Sequence, residues 1–167
     1  MDHAARYEED VFAWSQHQAK VLRGLAARAA GLPNDLDLEH VAEEIEDLCL
    51  AELNSVLSHL EGMLIHLAKA ASSPGALSYR HWLVEVNEHR RQARRRYTNA
   101  MRQRIEVQPL WRSAYREAGA ALALYGERLA VLPADCPFDL ADLLSEDPNA
   151  QLLVARLVPP AGDDLPT

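Results

Sequence analysis

Hydrophobic residues recur at steps of three and four along four long stretches of the chain, which is the spacing of one helix face. These stretches cover residues 5–30, 37–72, 78–105 and 110–131. Prolines stand near their boundaries, at Pro33, Pro74, Pro109 and Pro133. A proline inside a helix costs about 3 kcal/mol, so we expect the helices to break there. No stretch alternates apolar and polar residues as a half-buried strand would, and the pattern predicts an all-α protein.

The connections between these stretches are short and turn-like, as in GLPND at 31–35 and SSPG at 72–75. Short connections favour antiparallel neighbours in a helix bundle. After Pro133 the sequence PADCPFDLADLLSEDP predicts a loop and one short helix, which Asp139 can cap. We therefore predict four long helices in an antiparallel bundle plus a short C-terminal helix. Residues 1–150 would form a single domain, and 151–167 a poorly ordered tail.

Composition narrows the class of protein. Of 167 residues, 49% are hydrophobic and 25% charged, which is ordinary for a globular domain. The two cysteines, Cys49 and Cys136, are too few for a disulfide framework or a multi-thiolate zinc site. The N-terminal sequence MDHAARYEED lacks the apolar core of a signal peptide, and no apolar run reaches the roughly 18–20 residues of a membrane span. These features predict a cytoplasmic protein with no membrane partner.

The charges are unevenly distributed along the chain. Residues 37–53 contain seven acids and no Lys or Arg, whereas residues 78–104 contain eight Arg against two Glu. If helices two and three form a hairpin near Pro74, residue i lies opposite roughly residue 150 minus i, because both helices rise equally per residue. The acidic segment would then face Arg94, Arg95, Arg96, Arg102 and Arg104. We expect an intramolecular seam of ion pairs, each worth about 0–1 kcal/mol.

Within the acidic segment, VAEEIEDL at 41–48 holds four carboxylates. If Val41 and Leu48 mark the buried stripe, Glu44 borders it and needs a partner, for which His40 is one local candidate. Glu43 and Glu46 would then be solvated and Asp47 would join the seam. Glu44 and Asp47 are therefore candidate binding residues.

A file of polar residues on helix two, Glu52, Ser55, His59 and His66, is expected on its inward face. Metal sites in helical bundles are built from inward His and Glu residues. The candidate ligands of a divalent metal are accordingly His59, His66 and Glu52, joined by carboxylates from other helices. His59 and His66 are about 10.5 Å apart along the helix, so they are poorly placed to share one ion. Two interior histidines satisfied by hydrogen bonds are the competing interpretation.

Two further sites have both a functional and a structural interpretation. His66 and Lys69 share a helix face, and Trp82 is expected near them across the turn. These three side chains could form the wall of a ligand pocket or a corner of the core. In the sequence RRQARRRY at 90–97, the arginines could bind phosphates and stack on bases beside Tyr97. The net charge of -8 disfavours nucleic acid as a partner.

Several stretches in order resemble one bacterial family, known as domain of unknown function number twenty-nine. They are YEEDVFAWSQHQAKVLR, LDLEHVAEEIEDL, HLAK, Trp82, EHRRQ and CPFDLADLLSED, and they span residues 7–147. The resemblance implies an all-helical bacterial protein and brings no established activity. The chain departs from the family's HLLKW stretch by having Ala68 and Ala70.

Three functions remain open on the sequence alone. The leading hypothesis is a helical-bundle interaction or regulatory module with a protein partner. The alternative is a metal-dependent bundle enzyme that uses inward His and Glu residues. The third is a nucleic-acid binder that uses the arginines of helix three.

Overall fold

The computed structural model describes residues 7, 10–28, 33, 36–146 and 149–158. The elements are α1 (Val11–Ala26), α2 (Leu38–Ser72), α3 (Tyr79–Arg96), a 3₁₀ helix (Asn99–Arg104), α4 (Val107–Ala123), α5 (Leu140–Leu143) and α6 (Ala150–Leu157). The prediction of an all-α protein with four long helices is confirmed. The C-terminal part contains two short helices instead of one. Helix α6 occupies the start of the expected poorly ordered tail, whereas residues 159–167 lie outside the described residues.

Local sequence signals account for most helix ends. The side chain of Asp10 caps α1 by accepting from the backbone N–H of Ala13 at 2.9 Å. Asp139 and Asp142 form the capping box of α5, as the sequence predicts for Asp139. Helix α4 begins before Pro109 rather than after it, because proline is tolerated in the first helical turn. It ends just before Gly126, whose φ of 73° only glycine adopts readily.

The contacts divide the chain into two compact units. The first unit comprises residues Met1–Ser55 and Arg96–Arg104. Its described part contains α1, the first half of α2 and the 3₁₀ helix, and its buried hydrophobic residues are Phe12, Ala19, Leu38, Ala42, Cys49, Leu53 and Met101. The Cys49 thiol lies 3.5 Å from the backbone carbonyl of Phe12, which joins α1 to α2.

The second unit comprises Val56–Arg95 and Ile105–Thr167. Its core is built from the second half of α2, from α3 and from α4; the fully buried side chains there include Val56, Leu60, Met63, Leu67, Val86 and Trp111. Trp111 donates its indole N–H to the carbonyl of Pro133 at 2.9 Å. The Tyr115 hydroxyl donates to the carbonyl of Ala130 at 2.8 Å. These two bonds hold the segment after α4 against the core.

The buried stripe of α2 is displaced by one position from the predicted one. Val41 and Leu48 are 42% and 68% exposed, whereas Ala42 and Cys49 are buried. Seven residues span almost two helical turns, so Ala42 and Cys49 continue the file of the core residue Val56. Glu44 is consequently exposed, and the prediction that it is partly buried and paired is wrong. His40 pairs with Asp37 at 2.5 Å instead.

Among the described residues, one ion pair of the predicted seam between the acidic segment and the arginines is present, and other members have different partners. Glu52 forms an ion pair with Arg96 at 3.1 Å, as the antiparallel register predicts. Glu46, expected in solvent, instead binds Arg23 of α1 through two bonds of 2.5 and 2.7 Å. Arg94 binds Glu146 at 2.7 Å rather than an acid of α2. Asp47 is exposed to solvent.

Helix α2 also passes a test of length and composition for a membrane span, with a mean hydropathy of 1.2 in its most apolar window. Of that window, 33% is buried inside the protein. A helix that contributes its apolar face to a protein core passes the same test, so this property is weak evidence for a membrane.

Candidate metal centre

Four polar side chains of the second unit meet between the second half of α2 and α3. Helix α2 contributes His59 and His66, and α3 contributes Glu85 and His89. Glu85 and His89 are four residues apart and therefore share a face of α3. The antiparallel register places position 85 opposite about 65 and position 89 opposite about 61, so the fold brings these side chains together.

The separations within this cluster are short. One ligand atom each from His66, Glu85 and His89 lies within 4.8 Å of the other two. The rings of His66 and His89 are stacked with their centroids 5.7 Å apart. Ligand atoms around a tetrahedral zinc ion lie about 3.3 Å apart, given bonds of about 2.0–2.1 Å. Small side-chain rotations would therefore close the three groups around one ion.

His59 also contacts the ring of His89. The Nδ1 atoms of these two rings are 3.2 Å apart, which is a hydrogen bond when one of them carries a proton. A histidine that binds a metal through one ring nitrogen commonly donates from the other. His59 is thus placed to accept from His89 and to fix its tautomer.

Gly62 supplies the space for the His89 ring. A Cβ added at Gly62 would lie 2.6 Å from Cε1 and 2.7 Å from Nε2 of His89. Carbon atoms at such distances overlap, so an alanine would force the ring to move. The glycine therefore permits the close approach of His89 to α2.

Both histidines of the three-residue cluster are held neutral by their surroundings. Burial lowers the pKa of His66 to about 4, with further contributions from Lys69 and His89. Burial also lowers the pKa of His89, and the neighbouring His59 adds to the effect. A metal binds the neutral imidazole, so no proton has to be displaced from either ring at neutral pH.

His66 also has an unsatisfied atom. Its Nδ1 is buried and has no hydrogen-bond partner among the residues that the structure describes. Buried polar atoms are nearly always satisfied in folded proteins, and an ion or water commonly explains an exception. A metal bound through this nitrogen would satisfy it.

Lys69 and Trp82 lie on one side of the cluster, as the sequence predicts for the stretch HLAK. The Lys69 ammonium is 5.1 Å from the centre of the Trp82 ring, and Trp82 is buried. A neighbouring ammonium opposes a metal cation, and burial lowers the pKa of Lys69 below its ordinary value. Lys69 therefore lies against Trp82 and close to His66, and a binding role for the three residues stays a prediction.

The predicted ligand set changes in three ways. His59 lies against His89 but is not one of the three groups that converge. Glu52 is bound to Arg96 in the first unit, so it serves an ion pair. Glu85 is the carboxylate that was expected from another helix, and His89 joins it from the same helix, where no ligand was predicted. The antiparallel register could have identified them, because it already places His89 opposite the stretch between His59 and Gly62.

Comparison with known proteins places the chain without assigning a function. No protein of curated function matches it. The crystal structure of an alpha-helical protein of unknown function from Rhodospirillum rubrum is similar, with 37% sequence identity, a TM-score of 0.86, and coverage of 92% of this chain and 98% of that chain. The family model described as "Domain of unknown function DUF29" matches residues 6–148. The chain therefore belongs to the DUF29 family.

Proposed function

We propose that this protein binds a divalent transition-metal ion through His66, Glu85 and His89. The observation that carries the proposal is the convergence of three ligand atoms within 4.8 Å in the second unit. Two of the groups are imidazoles with lowered pKa values, and Nδ1 of His66 is buried without a partner among the described residues. A network of histidines that only filled the core would be expected to satisfy that nitrogen.

The donor set favours zinc or ferrous iron. Two imidazoles and one carboxylate occur in catalytic zinc sites and in the facial triads of non-haem iron enzymes. Three protein ligands leave at least one position for water or a substrate, as catalytic sites do. The arrangement therefore supports a metal-dependent enzyme better than a closed structural site.

The metal content of protein purified without a histidine tag tests this proposal. We expect close to one zinc or iron ion per chain by elemental analysis. His66→Ala, Glu85→Gln and His89→Ala are each expected to lower that content by about tenfold or more, because each removes one of three ligands.

A matched control is His40→Ala, which removes a histidine of the first unit that is paired with Asp37. It should retain the full metal content. Circular dichroism of each variant distinguishes loss of the ligand from loss of the fold. Folded wild-type protein that takes up no zinc, iron, cobalt or manganese on reconstitution would contradict the proposal.

We further propose that the protein is bacterial and cytoplasmic. The DUF29 match and the Rhodospirillum rubrum relative support the first part. The two cysteines, which lie far apart in the sequence, support the second. A role as an interaction module stays a prediction.

A further inference from the structure

A cavity of about 690 Å³ lies along a different face of α3 from the histidine cluster, within the second unit. Its lining includes four arginines, Arg90, Arg91, Arg94 and Arg95, together with Asn87. This volume is within the range of pockets that hold small molecules. We call this cavity the arginine groove.

The arginine groove concentrates positive charge in an acidic protein. Its lining contains four arginines but only two carboxylates, Glu88 and Glu146, whereas the whole chain has a net charge of -8. Arg91 and Arg95 are four residues apart on one helix, a spacing at which like charges repel. An anion bound in the groove would relieve that repulsion.

The carboxylates in the groove leave part of this charge available. Glu88 binds Arg91 at 2.6 Å and Glu146 binds Arg94 at 2.7 Å. The side chain of Glu146 is 90% exposed, and such exposed pairs stabilise only weakly, so a ligand can displace it. Arg95 is exposed and forms no ion pair with the residues that the structure describes.

Asn87 adds a second kind of contact. Its side-chain oxygen is buried and has no hydrogen-bond partner within the described part of the chain. Rotation of the Asn87 side chain toward the groove would let a ligand hydroxyl or amine satisfy this oxygen. The groove therefore combines forked donors suited to phosphate oxygens with a buried acceptor.

We propose that the arginine groove binds a small phosphate monoester that also carries hydroxyl or amine groups. The phosphate would lie against Arg95 and Arg91, displacing from Arg91 the half-exposed carboxylate of Glu88, and a donor group would reach Asn87. Glu88 and Glu146 would repel a long polyanion, and the net negative charge of the chain opposes nucleic acid. This proposal is independent of the metal centre, because it uses none of the proposed ligands.

Isothermal titration calorimetry with glucose 6-phosphate, glycerol 3-phosphate and AMP tests the proposal. At least one of these probes should bind saturably, and glucose and glycerol should not. Arg91→Gln and Arg95→Gln should each weaken that binding by about tenfold or more, because each removes charge-assisted hydrogen bonds. Asn87→Ala should weaken the binding less and leave the requirement for phosphate intact.

Arg80→Gln is the matched control, since Arg80 is an exposed arginine of α3 that does not line the groove. Its affinity for the probe should equal that of the wild type. Absence of saturable binding by all three probes would overturn the proposal, as would equal losses in the Arg80 and Arg95 variants. Binding of a 20-nucleotide DNA strand in preference to the probes would assign the groove to nucleic acid instead.

Discussion

The two halves of α2 contrast within one continuous helix. The half in the first unit, residues 38–55, exposes Val41 and Leu48 and carries most of the helix's carboxylates. The half in the second unit, residues 56–72, buries Leu60, Met63 and Leu67 completely. Both halves contain many apolar residues, so hydrophobic content alone does not separate them. What separates them is whether those residues fall on the file that packs into a core.

The polar residues of the two halves differ in the same way. In the first half, Glu46 and Glu52 form ion pairs near the surface with Arg23 and Arg96. In the second half, His59 and His66 are half-buried and meet groups of α3. Exposed ion pairs stabilise little, whereas burial lowers the pKa of His66, and groups with shifted pKa values are frequent at functional sites. The same helix thus supplies solubility at one end and a candidate site at the other.

The largest effect is expected from truncating a leucine in each half. Leu60→Ala removes a completely buried side chain and should lower the free energy of unfolding by about 2–5 kcal/mol. Leu48→Ala removes a side chain that is 68% exposed and should change it by less than about 0.5 kcal/mol. Chemical denaturation of both variants measures the difference. Similar losses in the two would show that Leu48 is covered in solution, for instance by a partner.

Gly62→Ala should have the next largest effect, and it is specific to the second half. In an exposed helix this change stabilises, but here the new methyl group would lie 2.6 Å from His89. The His89 ring is also held between His59 and His66, so moving it should cost about 1–3 kcal/mol. The melting temperature and the metal content should both fall.

Gly75→Ala is the control for that variant, because a Cβ there meets no atom within 4 Å. It should leave both the melting temperature and the metal content nearly unchanged. A Gly62→Ala variant that kept its full metal content would show that His89 does not need its present position to bind metal.

The fold was largely predictable from the sequence because periodicity and prolines mark long helices well. The phase of α2 was not, because Val41 and Leu48 look like core residues when the first half is considered alone. The continuous helix extends the file of Val56 and Met63 back through Ala42 and Cys49, which are small and give a weaker signal. Tertiary packing of the long helix therefore decided which of two adjacent files is buried.

The candidate site was predicted in part. His59 and His66 were expected on an inward face, and both reach the cluster. Glu85 and His89 were not identified, because they come from another helix and carry no local motif. Only the register between antiparallel helices places them opposite His59 and His66. The hairpin alone sets this register, so helix geometry places these two residues even though no sequence motif marks them.

The smallest effect is expected from the carboxylates of the first half. Glu46→Gln removes the negative charge and one of the two oxygens that bind Arg23, and should lower the melting temperature by at most about 3 °C at pH 7. Glu44→Gln should not change it, because Glu44 is exposed. This order reverses the one expected from the sequence, in which Glu44 was the carboxylate that needed a partner.

Acid should remove this difference between the wild type and Glu46→Gln. The hydrogen bonds from Arg23 lower the pKa of Glu46 below its ordinary value of 4.5. A carboxylate whose pKa is lower in the folded state stabilises fully above the pKa of the unfolded chain and loses that contribution as the pH falls through the folded pKa. Melting curves from pH 7 to pH 3 should therefore show the gap in melting temperature closing below about pH 4.5. A gap that did not narrow at all between pH 4.5 and pH 3 would mean that Glu46 acts through packing of its side chain rather than through its charge.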